Sequence, residues 1–233
     1  MPPLDNHTAV VTGGSRGIGR HIAAALHEAG AAVAITGRHE STLAQAAKAI
    51  GPRCRAFVCD QRDPAAIEAM AGAVQAQLGP VHLLVNNAGG GFSGKVADTP
   101  LEDWQRVIDL NLTGVFLTTK AFLPGMIARE RGDIIMISSM SGKKGDPGTS
   151  AYNAAKFGLQ GFSQALNYEV RRHNIRVMVL NPSRVDTSDK PGADHGPGLY
   201  LHAADIAATV VHLAALPGRT LIRDMDIWGT NPP

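Results

Sequence analysis

Seven short runs rich in valine and isoleucine punctuate the chain: Thr8 to Thr12, Ala32 to Thr36, Arg55 to Cys59, His82 to Asn86, Asp133 to Ser139, Ile175 to Asn181 and Asp224 to Trp228. They are near-continuously apolar instead of alternating, as in strands of a parallel sheet covered by helices on both faces. Between them, apolar side chains return every fourth residue, as at Ile18, Ile22 and Leu26 and again at Phe162, Leu166 and Val170. Each set marks one face of an amphipathic helix. Strand and helix alternating in this way predict a single α/β domain over residues 1–233, a doubly wound, seven-stranded parallel sheet of the Rossmann type. Such sheets bind ligands in a crevice beyond the carboxyl ends of the strands. Ser183 to His202 is the longest stretch without periodicity, carries three Gly and two Pro, and is expected to form a flexible flap over that crevice.

Composition narrows the range of partners. Apolar residues make up 44% and charged residues 18%, the usage of a folded globular chain. A formal net charge of +2, with no Lys/Arg run longer than two, is too weak for a phosphate backbone, so no nucleic acid is expected. Cys54 and Cys59 are five apart, an odd separation that points them to opposite faces of a strand, and both read as reduced core thiols. The N-terminal Met1-Pro2-Pro3-Leu4-Asp5 lacks the basic and apolar regions of a secretory signal, and no segment approaches eighteen consecutive apolar residues. A cytosolic chain without membrane partners is therefore expected. The nine His show no metal-ligand spacing, and His27-Glu28 lacks the second His of a zinc helix, so no metal is expected.

The first strand runs into Thr12-Gly13-Gly14-Ser15-Arg16-Gly17-Ile18-Gly19 and then directly into a helix. Glycines at Gly13, Gly17 and Gly19 let the backbone turn tightly and approach a pyrophosphate, whose charge suits a helix N-terminus. A binder of NAD would place an acid against the ribose hydroxyls after the second strand; Gly37 and Arg38 stand there instead. Arg38, with Arg16 in the glycine turn, offers two guanidinium groups to a 2′-phosphate, which points to NADP(H), although each could also be a plain surface charge. Asp60, after the third strand, suits either an acceptor for the adenine amino group or a helix N-cap.

Tyr152 and Lys156 are four apart at the start of a helical pattern and share one face. A tyrosine of ordinary pKa about 10 exchanges protons poorly at neutral pH unless a nearby cation favours its phenolate, and Lys156 offers one. Ser139, at the end of the fifth strand, places a hydroxyl at the crevice that could bond a substrate carbonyl. Asn111 sits in a helical stretch that it favours only weakly; its side chain or a freed backbone carbonyl could hold a water near Lys156, or it could be a satisfied interior amide.

Taken in order, Thr12 to Gly19, Asn86-Asn87-Ala88-Gly89, Asn111, Ser139, Tyr152-Asn153-Ala154-Ala155-Lys156 and Asn181-Pro182 with Thr187 resemble the motifs of the short-chain dehydrogenase/reductase family over the whole chain. The resemblance implies Tyr152 as general acid/base, with Lys156 binding the nicotinamide ribose and lowering the tyrosine pKa. It implies Ser139 orienting the substrate oxygen and Asn111 anchoring a proton-relay water. Gly13, Ser15, Arg16, Gly17, Ile18 and Gly19 would hold the cofactor phosphates, and Asn86, Ala88 and Gly89 would line the adenosine ribose. Pro182, Val185 and Thr187 would border the nicotinamide carboxamide. The family's usual Pro-Gly is here Pro182-Ser183, a departure beside the nicotinamide.

The expected reaction is NADP(H)-dependent interconversion of a ketone and a secondary alcohol on a small substrate. By the resemblance, 3-oxoacyl thioesters lead, followed by sugar, steroid-like and aromatic ketones. The alternative is a non-catalytic nucleotide sensor on the same fold. Phe92, Met140, Leu199 and Tyr200 could form an apolar wall, and His195 and His202 could touch substrate or be solvated loop residues. Arg129, Arg131, Arg171 and Arg172 could dock an acidic acyl carrier protein, although cations at helix C-termini also simply complement the dipole. Long helical stretches from Leu101 to Met126 and from Ala151 to His173, together with Trp228 near the C-terminus, support the family-level expectation of a homo-oligomer, dimer or tetramer.

Overall fold

The computed structural model describes residues 3–187 and 200–230. In chain order the elements are β1 (Thr8–Thr12), α1 (Gly17–Glu28), β2 (Ala32–Gly37), α2 (Glu40–Ile50), β3 (Cys54–Val58), α3 (Pro64–Leu78), β4 (Leu83–Asn86), α4 (Leu101–Ile108), α5 (Gly114–Ala128), β5 (Gly132–Ile137), α6 (Ser150–Val170), β6 (Ile175–Pro182), β7 (Val185–Asp186), β8 (Leu201–His202), α7 (Ala203–Ala215) and β9 (Asp224–Ile227). Seven strands form one sheet in the order β3-β2-β1-β4-β5-β6-β9, every pair parallel. The seven apolar runs thus become the seven strands of a doubly wound Rossmann-type α/β domain.

The strand pleat divides the core in two. Ala9, Val11, Val33 and Ile35 point to one face, under α1, α2 and α7; Val10, Ala34, Leu84 and Ile134 point to the other, under α3, α5 and α6. Cys54 belongs to the first layer and Cys59 to the second. Both are free thiols, with burial pushing Cys54 up to about 12 and Cys59 to about 11. Arg176, at the start of β6, makes a two-pronged pair with Asp133 on β5 at 2.6 and 2.7 Å and donates to the carbonyls of Leu216 and Thr220 at 3.2 and 3.0 Å. It anchors the return from α7 to the amino edge of the sheet. Among the described residues no helix is long and apolar enough to cross a membrane, and no cluster of three His, Cys, Asp or Glu could hold a metal.

Two local features depart from the sequence reading. The stretch from Leu101 to Met126 is helical, but a π turn at Asp109–Thr113 separates α4 from α5. The aperiodic stretch contributes a two-stranded parallel pair, Val185 with Leu201 and Asp186 with His202. The flap expected over Ser183 to His202 falls mostly, as residues 188–199, outside the described residues.

Candidate active site

The strand order reverses between β1 and β4, and the loops leaving those two strands are tied together. Thr12 Oγ1 accepts from the Asn87 and Ala88 backbone N–H groups, each at 2.9 Å, and Asn87 Nδ2 donates to the Thr12 carbonyl at 2.8 Å. The glycine turn lies directly beside this tie. A Cβ on Gly19 would sit 2.3 Å from the Gly13 carbonyl oxygen, and Gly13 and Gly17 have φ of +67° and +55°. Glycine is therefore required there by sterics, and the first-turn N–H groups of α1 open onto the crevice. Such a cradle fits a diphosphate.

The remaining nucleotide candidates fall around it. Arg16, the residue before α1, and Arg38, after β2, are both exposed. Ser15 lies alongside Gly37, whose Cβ would stand 3.7 Å from Ser15 Oγ. Ile18 packs on the core layer beneath α1. Thr187 lies against Gly17, and Val185 packs inward from β7. Pro182 ends β6, paired with Ile227 of β9. Gly89 passes so close to Asn111 that a Cβ would meet its Oδ1 at 2.8 Å.

Two of these candidates have other side-chain partners. Asn86 does not present its side chain to the crevice: it is buried at the end of β4, donating to Thr119 Oγ1 at 3.0 Å. Its neighbour Asn87 makes the crevice contacts. Asp60 is not a helix cap. Asp63 caps α3, accepting from Ala65 and Ala66 N–H, while both Asp60 oxygens bind Arg62 at 3.0 and 2.6 Å. That pairing, with Arg38 adding to it, holds the Asp60 carboxyl down near 2.

The chemical groups converge at the carboxyl ends of β4 and β5. Ser139 follows β5 in extended conformation and begins a short 3-10 turn, its Oγ accepting from Ser141 N at 3.1 Å. It lies beside the Tyr152 hydroxyl, close enough to favour the phenolate. Lys156 is 3% exposed, donates from Nζ to the Ile137 carbonyl at 2.9 Å and stands 5.5 Å from the centre of the Tyr152 ring. Asn111, in the π turn, donates to the Gly90 and Val107 carbonyls at 2.7 and 2.9 Å and accepts from Gly90 N at 3.3 Å. Its side chain is committed to the backbone, so of the two groups the sequence left open for a water, the backbone carbonyl is the one remaining.

The electrostatics run opposite to the expectation that Lys156 lowers the tyrosine pKa. Burial raises the Tyr152 phenol above its ordinary value, and the neighbouring Ser139 only partly offsets this. Burial also presses Lys156 down to about 8. Low-dielectric surroundings disfavour both charged forms.

Other assignments sort as follows. Phe92, Trp104, Ile108 and Tyr152 pack against the buried Val107, Ala151 and Ala155, and Trp104 was not among the apolar residues the sequence singled out. Met140 begins the turn after Ser139, Tyr200 precedes β8, and Leu199 and His195 lie outside the described residues. His202 caps α7 in a reciprocal arrangement with Asp205. Arg129 donates to the Val81 carbonyl at 2.6 Å, and Arg171 lies over the Tyr168 ring. With Arg131 and Arg172 they follow α5 and α6, at the amino edge of the sheet, remote from Tyr152.

The family model for short chain dehydrogenases matches residues 7–194. A Mycobacterium tuberculosis protein named as the oxidoreductase SadH is 36% identical over 229 residues, 91% of this chain and 83% of the relative. A Streptomyces coelicolor protein named as a ketoacyl reductase is 39% identical over 192 residues, 80% of this chain and 74% of the relative. The crystal structure of a metagenomic short-chain oxidoreductase in complex with NADP superposes with a TM-score of 0.87 at 34% identity, covering 98% of this chain and 99% of the other. The chain belongs to the short-chain dehydrogenase family.

Proposed function

We propose that this oxidoreductase uses NADP(H) to interconvert a ketone and a secondary alcohol on a small substrate, with Tyr152 as the general acid/base. The observation that carries the reading is the convergence of the Tyr152 hydroxyl, the Ser139 hydroxyl and the Lys156 ammonium at the mouth of the glycine-lined crevice. When bound there, the cofactor supplies or accepts the hydride at the carbonyl carbon. In the reducing direction Tyr152 gives its phenolic proton to the carbonyl oxygen, completing the alcohol. Ser139 holds the same oxygen by hydrogen bonding. Lys156 offers a cation to the phenolate left behind and to the nicotinamide ribose, and the Asn111 carbonyl anchors a water that returns the proton.

The choice of NADP(H) rests on Arg16 and Arg38 and on the missing acid at Gly37, and the NADP-bound relative supports it. Among substrates, a 3-oxoacyl thioester is favoured by the relative named as a ketoacyl reductase. Delivery by an acyl carrier protein has less support, because the four arginines proposed to dock it lie at the edge remote from Tyr152. The sensor alternative has no observation in its favour, since nucleotide binding alone does not call for a buried ammonium beside a phenol.

NADPH oxidation against a carbonyl panel that includes acetoacetyl-CoA, a cyclic ketone and an aromatic ketone tests the reading. Tyr152→Phe, which keeps the ring and removes the proton, should lose turnover at least about a hundredfold while still binding NADPH. No oxidation with any member of the panel, or near-normal turnover in the variant, overturns it.

A further inference from the structure

The Ser139 hydroxyl and the Tyr152 phenol are carried by different elements, and the loop over residues 140–149 joins them. Lys143 ties that loop to Asp224 and Asp226 of β9, and the buried Asn153 ties it to α6. Asn153, in the first turn of α6 and 8% exposed, donates from Nδ2 to the carbonyls of Ser141 and Lys144 at 2.8 and 2.9 Å. Its Oδ1 accepts from Thr149 Oγ1 at 2.6 Å and from Asp146 N at 3.2 Å. Both amide hydrogens and both oxygen lone pairs are in use.

These contacts close a ring. Asn153 holds the Ser141 carbonyl, Ser141 N–H donates to Ser139 Oγ at 3.1 Å, Ser139 lies beside the Tyr152 hydroxyl, and Tyr152 is the covalent neighbour of Asn153. The Ser141 N–H also occupies acceptor capacity on Ser139 Oγ, leaving its single proton to be donated towards phenol or substrate. We propose that Asn153 is a positioning residue that fixes the Ser139 hydroxyl against Tyr152. The inference rests on the reaction proposed above. Reaction rates respond steeply to such geometry, with misplacement by about 1 Å costing up to about a hundredfold.

The test compares wild type, Tyr152→Phe, Ser139→Ala, Asn153→Ala, Asn153→Asp and the double variant Ser139→Ala/Asn153→Ala, with acetoacetyl-CoA or the panel ketone that the wild type reduces. Asn153→Asp preserves size and the Thr149 contact but turns a carboxylate towards the Ser141 and Lys144 carbonyls. Both Asn153 variants should lower kcat at least about tenfold while NADPH affinity stays within about twofold. In the Ser139→Ala background the Asn153→Ala change should cost less than about threefold, because the hydroxyl it positions is gone. Full activity in Tyr152→Phe overturns the proposed reaction and this inference with it. If Tyr152→Phe is inactive, wild-type kcat in the Asn153 variants overturns the positioning role alone. So does an equal loss with and without Ser139, or loss of NADPH binding in both Asn153 variants, each of which marks a merely structural amide.

Discussion

Lys156 shows what a single residue's surroundings do that its neighbours in sequence do not reveal. Its spacing from Tyr152 was legible, because i and i+4 positions share a helix face; the direction of both pKa shifts was not, because it follows from tertiary burial. The consequence for stability has a definite sign. A lysine whose pKa falls to about 8 in the folded chain and returns to the ordinary value on unfolding leaves the unfolded state binding more protons between those limits. Stability must therefore rise with pH across that window and level off below it. Thermal melts of the protein without nucleotide should show Tm rising from about pH 8 to pH 10 relative to a Lys156→Met variant. A flat difference would mean that the ammonium is not desolvated. Asp60 teaches the complementary lesson: the true cap was legible as Asp63-Pro64, an N-cap followed by proline at the first helical position.

At the scale of elements, the strands were readable because both faces are buried, and their ends shifted by one or two residues where turns take over. Ser139 is the clearest case, lying beyond β5 at the start of a 3-10 turn instead of closing the strand. The β7–β8 pair was not readable, since two-residue strands carry no periodicity. The turns after β1 and β2 make a sharper statement about the nucleotide. They expose Arg16 and Arg38, each able to contribute about 1.5–3 kcal/mol through a charge-assisted bond to a 2′-phosphate. NADPH should be preferred over NADH by about ten- to a thousandfold in kcat/KM. A Cβ on Gly37 meets only the end of the flexible Leu43 side chain, at 3.3 Å, and points near Ser15. Gly37→Asp combined with Arg38→Ala should thus fold and reverse much of that preference. Equal use of both nucleotides by the wild type, or an unchanged preference in the double variant, contradicts the assignment of the arginines.

For the molecule as a whole, sequence conveyed which helices exist but not which of their faces remain uncovered. On α5 and α6, Phe116 is 44% and Phe157 47% exposed, and Phe116 stacks edge-on against Phe162. Large aromatics on adjacent helices are the kind of surface a second copy of the chain covers. Light scattering at micromolar concentration should report a dimer or tetramer, and Phe116→Asp with Phe157→Asp should shift it towards monomer. A monomeric wild type refutes assembly; an undisturbed oligomer in the double variant places the interface elsewhere.

The π turn at Asp109–Thr113 has a consequence of phase. In a regular helix the Asn111 N–H would serve the Val107 carbonyl; here the side-chain amide of the same residue does so at 2.9 Å. The turn therefore holds one more residue than an α-helical turn would. Each residue corresponds to about 100° of helix rotation and 1.5 Å of rise. Deleting a single residue there would turn the bulge into an ordinary α turn and remove the side-chain bond by which Asn111 reaches the Val107 carbonyl. The irregularity thus works as a phase adjuster in sequence, absorbing one extra residue so that α4 keeps its apolar residues against α6 while α5 keeps its own against the sheet.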